Sequence, residues 1–196
     1  MYKRFIKRFL DIMISIAAVP ILLIVVLFVS PIIFFTDRGP VFYIAERVGQ
    51  YGKAFKMIKF RSMRVNAPDL RRADGSTYNG NNDPRVTKIG KIIRVTSVDE
   101  LPQIINVFLG QMSIVGPRPN LPTIPYSEMD FEHKHRLEVR PGLTGYNQAF
   151  YRNSVSIEEK LLNDNYYVDN MSLLLDGKIV LKTIETVVRR KNVYKN

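Results

Sequence analysis

A chain of 196 residues has room for one domain and an anchor, but not for two comfortable cores. Its formal net charge of +11 calls for an anionic partner: lipid headgroups, a phosphorylated substrate or nucleic acid. With no cysteine present, disulfide frameworks, cysteine-based zinc sites and thiol nucleophiles are excluded.

The chain opens on Lys3, Arg4, Lys7 and Arg8, then runs from Ile12 to Phe35 without a charged side chain. Length and lack of charge make this stretch a membrane segment. It is too long for an ordinary signal-peptide core, and no small-x-small cleavage site follows Phe35, so a retained anchor is expected. The basic residues ahead of it favour a cytoplasmic N-terminus. A straight crossing would then place the rest of the chain outside. Pro20 offers another course, because it removes the bond to the Ile16 carbonyl and kinks the helix, returning the chain to the face it entered. Residue physics leaves the two courses open. An anchor also favours lipid and phosphate over nucleic acid as the anionic partner.

Beyond Gly39-Pro40, the segment Val41–Ile44 reads as a strand, Gly49 to Gly52 as a turn, and Phe55–Phe60 as a second strand, together a hairpin. Alternation puts Phe55, Met57 and Lys59 on one face, with the lysine either snorkelling at an edge or aimed into a site. Residues 65–83 are polar and turn-rich, with Asp74-Gly75 and Asn79-Gly80, and read as a mobile loop. A short basic helix is predicted over Thr87–Val95 and an apolar-faced one over Ser97–Leu109. Gly116–Pro119 and Arg140–Gly142 are rigid turns. Two more helices are expected, Ile157–Tyr167 and Leu173–Arg190. The stripe Leu174, Leu181, Ile184 and Val188 in the last of these favours core packing over membrane contact.

The segment Arg94-Val-Thr-Ser-Val-Asp-Glu-Leu-Pro-Gln103 carries adjacent acids, Asp99 and Glu100, near a predicted helix start. A carboxylate so placed can hold Mg²⁺ or attack phosphorus. Ser97 and Glu100 also have the spacing of a capping box, which needs no chemistry. Lys56, Lys59 and Arg61 cluster, and proline or glycine flanks Arg118 and Arg140, so cations sit on pre-ordered backbone. Phosphoryl transfer needs such cations. There is no Walker loop, no G-x-G-x-x-G and no H-E-x-x-H, and His133 and His135 read as a solvated helix face.

At these residues the chain resembles the bacterial sugar transferase family, the monotopic phosphoglycosyl transferases, in minimal form. The resemblance runs through Tyr2–Asp11, Gly39–Phe42, Phe55–Met63, Arg94–Gln103, Met112–Pro119, Arg140–Gly145 and the tyrosine-rich Asp164–Asn170. It implies an α/β fold, mixed and mostly helical with a small β-hairpin. Residues 1–38 would form a re-entrant membrane helix with a basic flank, and 39–196 a cytoplasmic catalytic domain at the bacterial inner membrane. Asp99 would attack the β-phosphate of a UDP-sugar and release UMP, and polyprenyl (undecaprenyl) phosphate would then take the phosphosugar. Glu100 would assist as base or by orienting the lipid phosphate. Mg²⁺ would sit at Asp99, and Lys59, Arg94, Arg118 and Arg140 would bind substrate phosphates. Membrane lipid and downstream glycosyltransferases are further expected partners, nucleic acid is not. One departure is the kink position: Val19 precedes Pro20, and the only Ser-Pro is Ser30-Pro31. The competing readings are a membrane-anchored basic module without catalysis and a membrane phosphatase using an aspartyl phosphate.

Overall fold

A computed structural model of the chain describes residues 1–71, 78, 80, 82–151 and 154–189. Asp74, Gly75, Asn79 and Arg190, named above, lie outside the described residues. The apolar run forms helix α1, Lys7–Asp37, preceded by a π-helical turn over Tyr2–Ile6. It continues as one helix through Pro20 and Pro31 and ends at Arg38, whose backbone is left-handed with φ 51°. At 1.5 Å per residue, its 31 residues extend for about 46 Å.

Only one stripe of α1 is buried: Lys7, Asp11, Ser15, Leu22 and Ile33, at helical spacing. Much of the rest of its surface is exposed and apolar, including Phe9, Ile16, Leu23, Leu27, Phe28 and Phe35. Both ends are tied to the same body. Near the start, Lys7 Nζ lies 2.6 Å from Asp176, which also accepts from the Tyr2 hydroxyl at 2.5 Å and the Tyr167 hydroxyl at 2.8 Å. One turn on, Asp11 accepts from Ser113 Oγ at 3.0 Å and from the Ile114 N–H at 2.9 Å. Near the end, Ile33 packs with Phe60 and Ile93, and Asp37 pairs with Arg61 at 2.6 Å.

The hairpin forms as expected and is longer: β1 (Phe42–Val48) pairs antiparallel with β2 (Ala54–Phe60). Tyr51 and Gly52 turn it with φ 54° and 76°, conformations the glycine takes without a Cβ penalty. Helix α2, Lys88–Val95, starts where the Thr87 hydroxyl accepts from the Gly90 N–H. The expected helix over Ser97–Leu109 divides. A 3₁₀ turn covers Val98–Glu100, Pro102 follows, and α3 spans only Gln103–Phe108.

Two short strands unforeseen from periodicity, β3 (Ser113–Val115) and β4 (Gly142–Thr144), pair in parallel. They bring the Gly116–Pro119 and Arg140–Gly142 turns together. A Cβ on Gly142 would lie 2.1 Å from the Gly116 nitrogen, so only glycine permits that approach. The remaining helices are α4 (Phe131–Arg136), α5 (Tyr146–Phe150), α6 (Ile157–Asn170) and α7 (Leu173–Val188). Val115, Ala149, Tyr167, Met171 and Ile179 form the core beneath them. The α7 stripe does not join it: Leu174 and Val188 are 79% and 75% exposed, and Leu181 and Ile184 are also exposed. The buried face of α7 is instead Asp176, Ile179 and Thr186, because Asp176 is held by the α1 latch.

Candidate active site

The site is built where β2, the 3₁₀ turn and the Pro-Arg-Pro turn converge. Helix α2 ends with the Thr96 hydroxyl bonded back to the Ile92 carbonyl at 2.9 Å. Ser97 then takes a left-handed backbone, φ 58°, unusual for a residue with a Cβ. This reversal presents Val98–Glu100 as a separate turn. The Ser97 side chain makes no cap bond, so the capping box does not form. Glu100 is engaged elsewhere.

Lys59, next to last in β2, reaches Glu100 Oε1 at 2.6 Å, and Arg118 Nη2 reaches the same oxygen at 3.0 Å. Of the two roles open to Lys59, the geometry selects the one aimed at the acids. Burial alone would raise the Glu100 carboxyl, but the charges of Lys59 and Arg118 outweigh it and bring it down to about 2. Asp99, one residue away, is pushed up to about 6, first by burial and then by the Glu100 charge, with Lys59, Arg94 and Arg118 opposing. Arg118 is held more firmly in its charged form by Glu100.

Arg94 is the third cation. Its Nε donates to Ser62 Oγ at 3.0 Å, while its buried Nη1 has no partner among the described residues. Its positive charge is felt at Asp99, where it favours the ionised carboxylate.

The other sequence candidates divide. Arg140 donates from Nε to the Gly110 carbonyl at 2.9 Å and lies near Arg8, beyond the far end of α3 from the acids. The structure does not bring it to the dyad. Lys56 and Arg61 also part from Lys59: Lys56 is exposed, and Arg61 is buried against Asp37, the Pro40 carbonyl and the Ile33 carbonyl. Strand alternation and the pull of Asp37 separate three cations that are close in sequence. His133 bonds Asp130, and His135 lies between Glu138 and Asp169. Among the described residues no cluster of three metal-ligating side chains occurs.

Two supporting residues escaped the sequence reading. Asn106, fully buried on α3, accepts from the Ile58 N–H and donates to the Lys56 carbonyl, fixing β2 just before Lys59. An asparagine inside the apolar run Ile104-Ile-Asn-Val-Phe108 was the available signal. Arg136 donates to the Arg118 carbonyl at 3.0 Å and to Asp164 at 2.5 Å, pinning the backbone of the turn. Nothing in the local sequence singled it out.

The donor set suits a hard cation of modest demand. Magnesium binds through one or two carboxylates and keeps its remaining positions for water and substrate phosphates. Asp99 has no ion-pair partner in direct contact among the described residues, so its carboxylate is free for both roles, whereas Glu100 is already engaged.

Residues 2–190 match the family model described as bacterial sugar transferase. Galactosyl transferase CpsE of Streptococcus agalactiae serotype III is 41% identical over 93% of this chain and 42% of its own length. Exopolysaccharide production protein ExoY of Sinorhizobium fredii is 38% identical over 96% of this chain and 88% of its own. The UDP-N-acetylgalactosamine-undecaprenyl-phosphate N-acetylgalactosaminephosphotransferase of Aeromonas hydrophila is 37% identical over 94% and 44%. The chain thus spans less than half of the first and third relatives and most of ExoY.

Proposed function

We propose that this chain, which belongs to the bacterial sugar transferase family, moves a sugar 1-phosphate from a UDP-sugar to undecaprenyl phosphate and so begins a bacterial glycan. The observation that carries this reading is the unequal dyad: a raised, unpaired Asp99 beside a Glu100 locked by two cations. A carboxyl titrating at about 6 is mostly ionised at neutral pH, yet more basic than an ordinary aspartate. That combination suits a nucleophile.

In the first step an Asp99 oxygen bonds to the β-phosphorus of the donor. The bond from that phosphorus to the bridging oxygen breaks, and UMP leaves with the electron pair. Lys59, Arg94 and Arg118 offset charge on the phosphate oxygens. In the second step an oxygen of the lipid phosphate bonds to the same phosphorus, and the Asp99 carboxylate leaves. Glu100, with Lys59 and Arg118, orients the lipid phosphate. Asp99 would hold magnesium, which would supply further charge neutralisation at the donor phosphates.

The acceptor's phosphate lies at the lipid surface, so the site must too. We place residues 1–38 in the cytoplasmic leaflet as a re-entrant helix and 39–196 as the catalytic domain on the cytoplasmic face of the inner membrane. Both ends of α1 bind one body, at Asp176 and Arg61, which supports entry and return on one side. Relatives named for galactose and for N-acetylgalactosamine differ in the sugar, and downstream glycosyltransferases would extend the product.

The test is donor cleavage without acceptor. One equivalent of UMP per protein should appear with UDP-sugar and Mg²⁺ alone, with turnover only after undecaprenyl phosphate is added. UMP release that needs the acceptor from the start would exclude the two-step route.

A further inference from the structure

The hairpin carries one further cation toward the dyad. Arg47 on β1 pairs with Phe55, and Tyr43 pairs with Lys59. Directly opposed residues share a face, so Tyr43, Arg47 and Lys59 stand with Phe55 and Met57. The centre of that face packs on Val107 and Met112, and Arg47 and Lys59 flank it, each half-buried. The Pro-Arg-Pro turn is fastened to the same hairpin twice. The Val48 N–H donates to the Asn120 carbonyl at 3.0 Å, two residues past Arg118. Lys59 and Arg118 also meet on Glu100 Oε1, at 2.6 and 3.0 Å.

Arg47, next to Val48, accordingly has Arg118 as an electrostatic neighbour. Burial disfavours its charged form first, Tyr43 favours it, and the charges of Arg118 and Arg71 disfavour it again. Three arginines converge from three segments: Arg47 from the hairpin, Arg71 from the loop after it and Arg118 from the turn. Two of them have acids, Asp69 at 2.7 Å for Arg71 and Glu100 at 3.0 Å for Arg118. Arg47 has no carboxylate in contact among the described residues. Its Nη1 donates to the Glu46 carbonyl at 2.8 Å, at an exposed contact. An accessible guanidinium set among like charges, with no acid to offset them, fits an anion supplied from outside.

The donor is a diphosphate. Lys59, Arg94 and Arg118 act at Asp99, where the β-phosphate would be attacked. None of them is assigned to the second phosphate, which lies one bridging oxygen away and gathers charge as the bond breaks. A cation beside Arg118 is placed for it.

We propose that Arg47 binds the α-phosphate of the donor and offsets the charge that departs with UMP; this rests on the transferase reading above. The bond from the β-phosphorus to the bridging oxygen breaks, the electron pair goes to that oxygen, and Arg47 donates to the phosphate that carries it. The whole chain, in lipid nanodiscs, is followed by rapid quench in two halves. The first is UMP release from UDP-glucose, UDP-galactose and their 2-acetamido counterparts, with Mg²⁺. The second is discharge of the preformed adduct to undecaprenyl phosphate. Arg47→Met should slow the first half about 10²-fold, the scale of one lost donor to a developing oxyanion. It should change the second by less than about threefold, because UMP has left before that half begins. Arg47→Lys, which keeps the charge without the planar fork, should recover part of the first rate. Loss of folded protein lowers the amplitudes but not these rates. Equal slowing of both halves, or an unchanged first half, would overturn the assignment of Arg47 and leave the transferase reading in place. No UMP from the unaltered chain with any of the four donors would remove the transferase reading itself, and this inference with it.

Discussion

Lys59 Nζ lies 2.6 Å from Glu100 Oε1, whereas the neighbouring Asp99 has no such contact among the described residues. Adjacent acids therefore differ in both charge and availability. Glu100 is a fixed anion that gathers cations, and Asp99 is the free carboxylate. The expected consequence is a separation of the two half-reactions. Glu100→Gln should still form the covalent adduct but discharge it to undecaprenyl phosphate about 10²-fold more slowly. Rapid-quench measurement of each half-reaction checks this, and equal slowing of both would count against the division.

Lys7, Tyr2 and Tyr167 converge on Asp176, so α1 is held to α7 by a buried charge. Lys7→Met leaves that carboxylate without its counter-ion and should cost roughly 3 kcal/mol. For a chain of this size that corresponds to a fall in Tm of about 6–12 °C. Thermal unfolding in detergent gives the answer, and an unchanged Tm would show the pair to be dispensable.

Asp83 and Arg85 form a second buried pair, with Arg85 Nε 2.9 Å from Oδ1 and Nη2 2.7 Å from Oδ2. The hydrogen bond from Arg85 holds the Asp83 carboxyl below its ordinary value. Because the folded-state pKa is depressed, the stabilisation is complete above the unfolded value near 4 and is lost as pH falls through the folded one. Urea unfolding should show the wild type losing stability below about pH 4. Asp83→Asn should be weaker at neutral pH and flatter over that acid range.

The proposed return of α1 to one face is open to labelling. Lys3 and Lys53 are exposed on opposite sides of α1 in sequence. In inverted membrane vesicles, Lys3→Cys and Lys53→Cys should both react with an impermeant maleimide, and neither should react in intact cells. Reaction of only one in each preparation would mean that the helix crosses.

Much of this site was legible because its determinants are local. Turn punctuation located the hairpin, strand alternation set Lys59 on the face of Phe55 and Met57, a short basic run located α2, and the Asp99-Glu100 pair stood out in Arg94–Gln103. What escaped depends on partners distant in the chain. Arg61 turns to Asp37, 24 residues away, and Glu100 gives up a local capping box for Lys59, 41 residues away. The α7 stripe was misassigned because the buried Asp176, which faces Lys7 169 residues earlier, decides which side of the helix is covered. The parallel β3–β4 pair depends on contact between Gly116 and Gly142, which no periodicity encodes.

The most direct measurement is peptide mass mapping of the protein quenched after exposure to UDP-sugar and Mg²⁺ without acceptor. The expected result is a phosphosugar on the peptide spanning Arg94 to Gln103, localised to Asp99, chased off by undecaprenyl phosphate and absent from Asp99→Asn. An adduct on any other residue, or one that persists in Asp99→Asn, would contradict the assignment of Asp99 as the nucleophile.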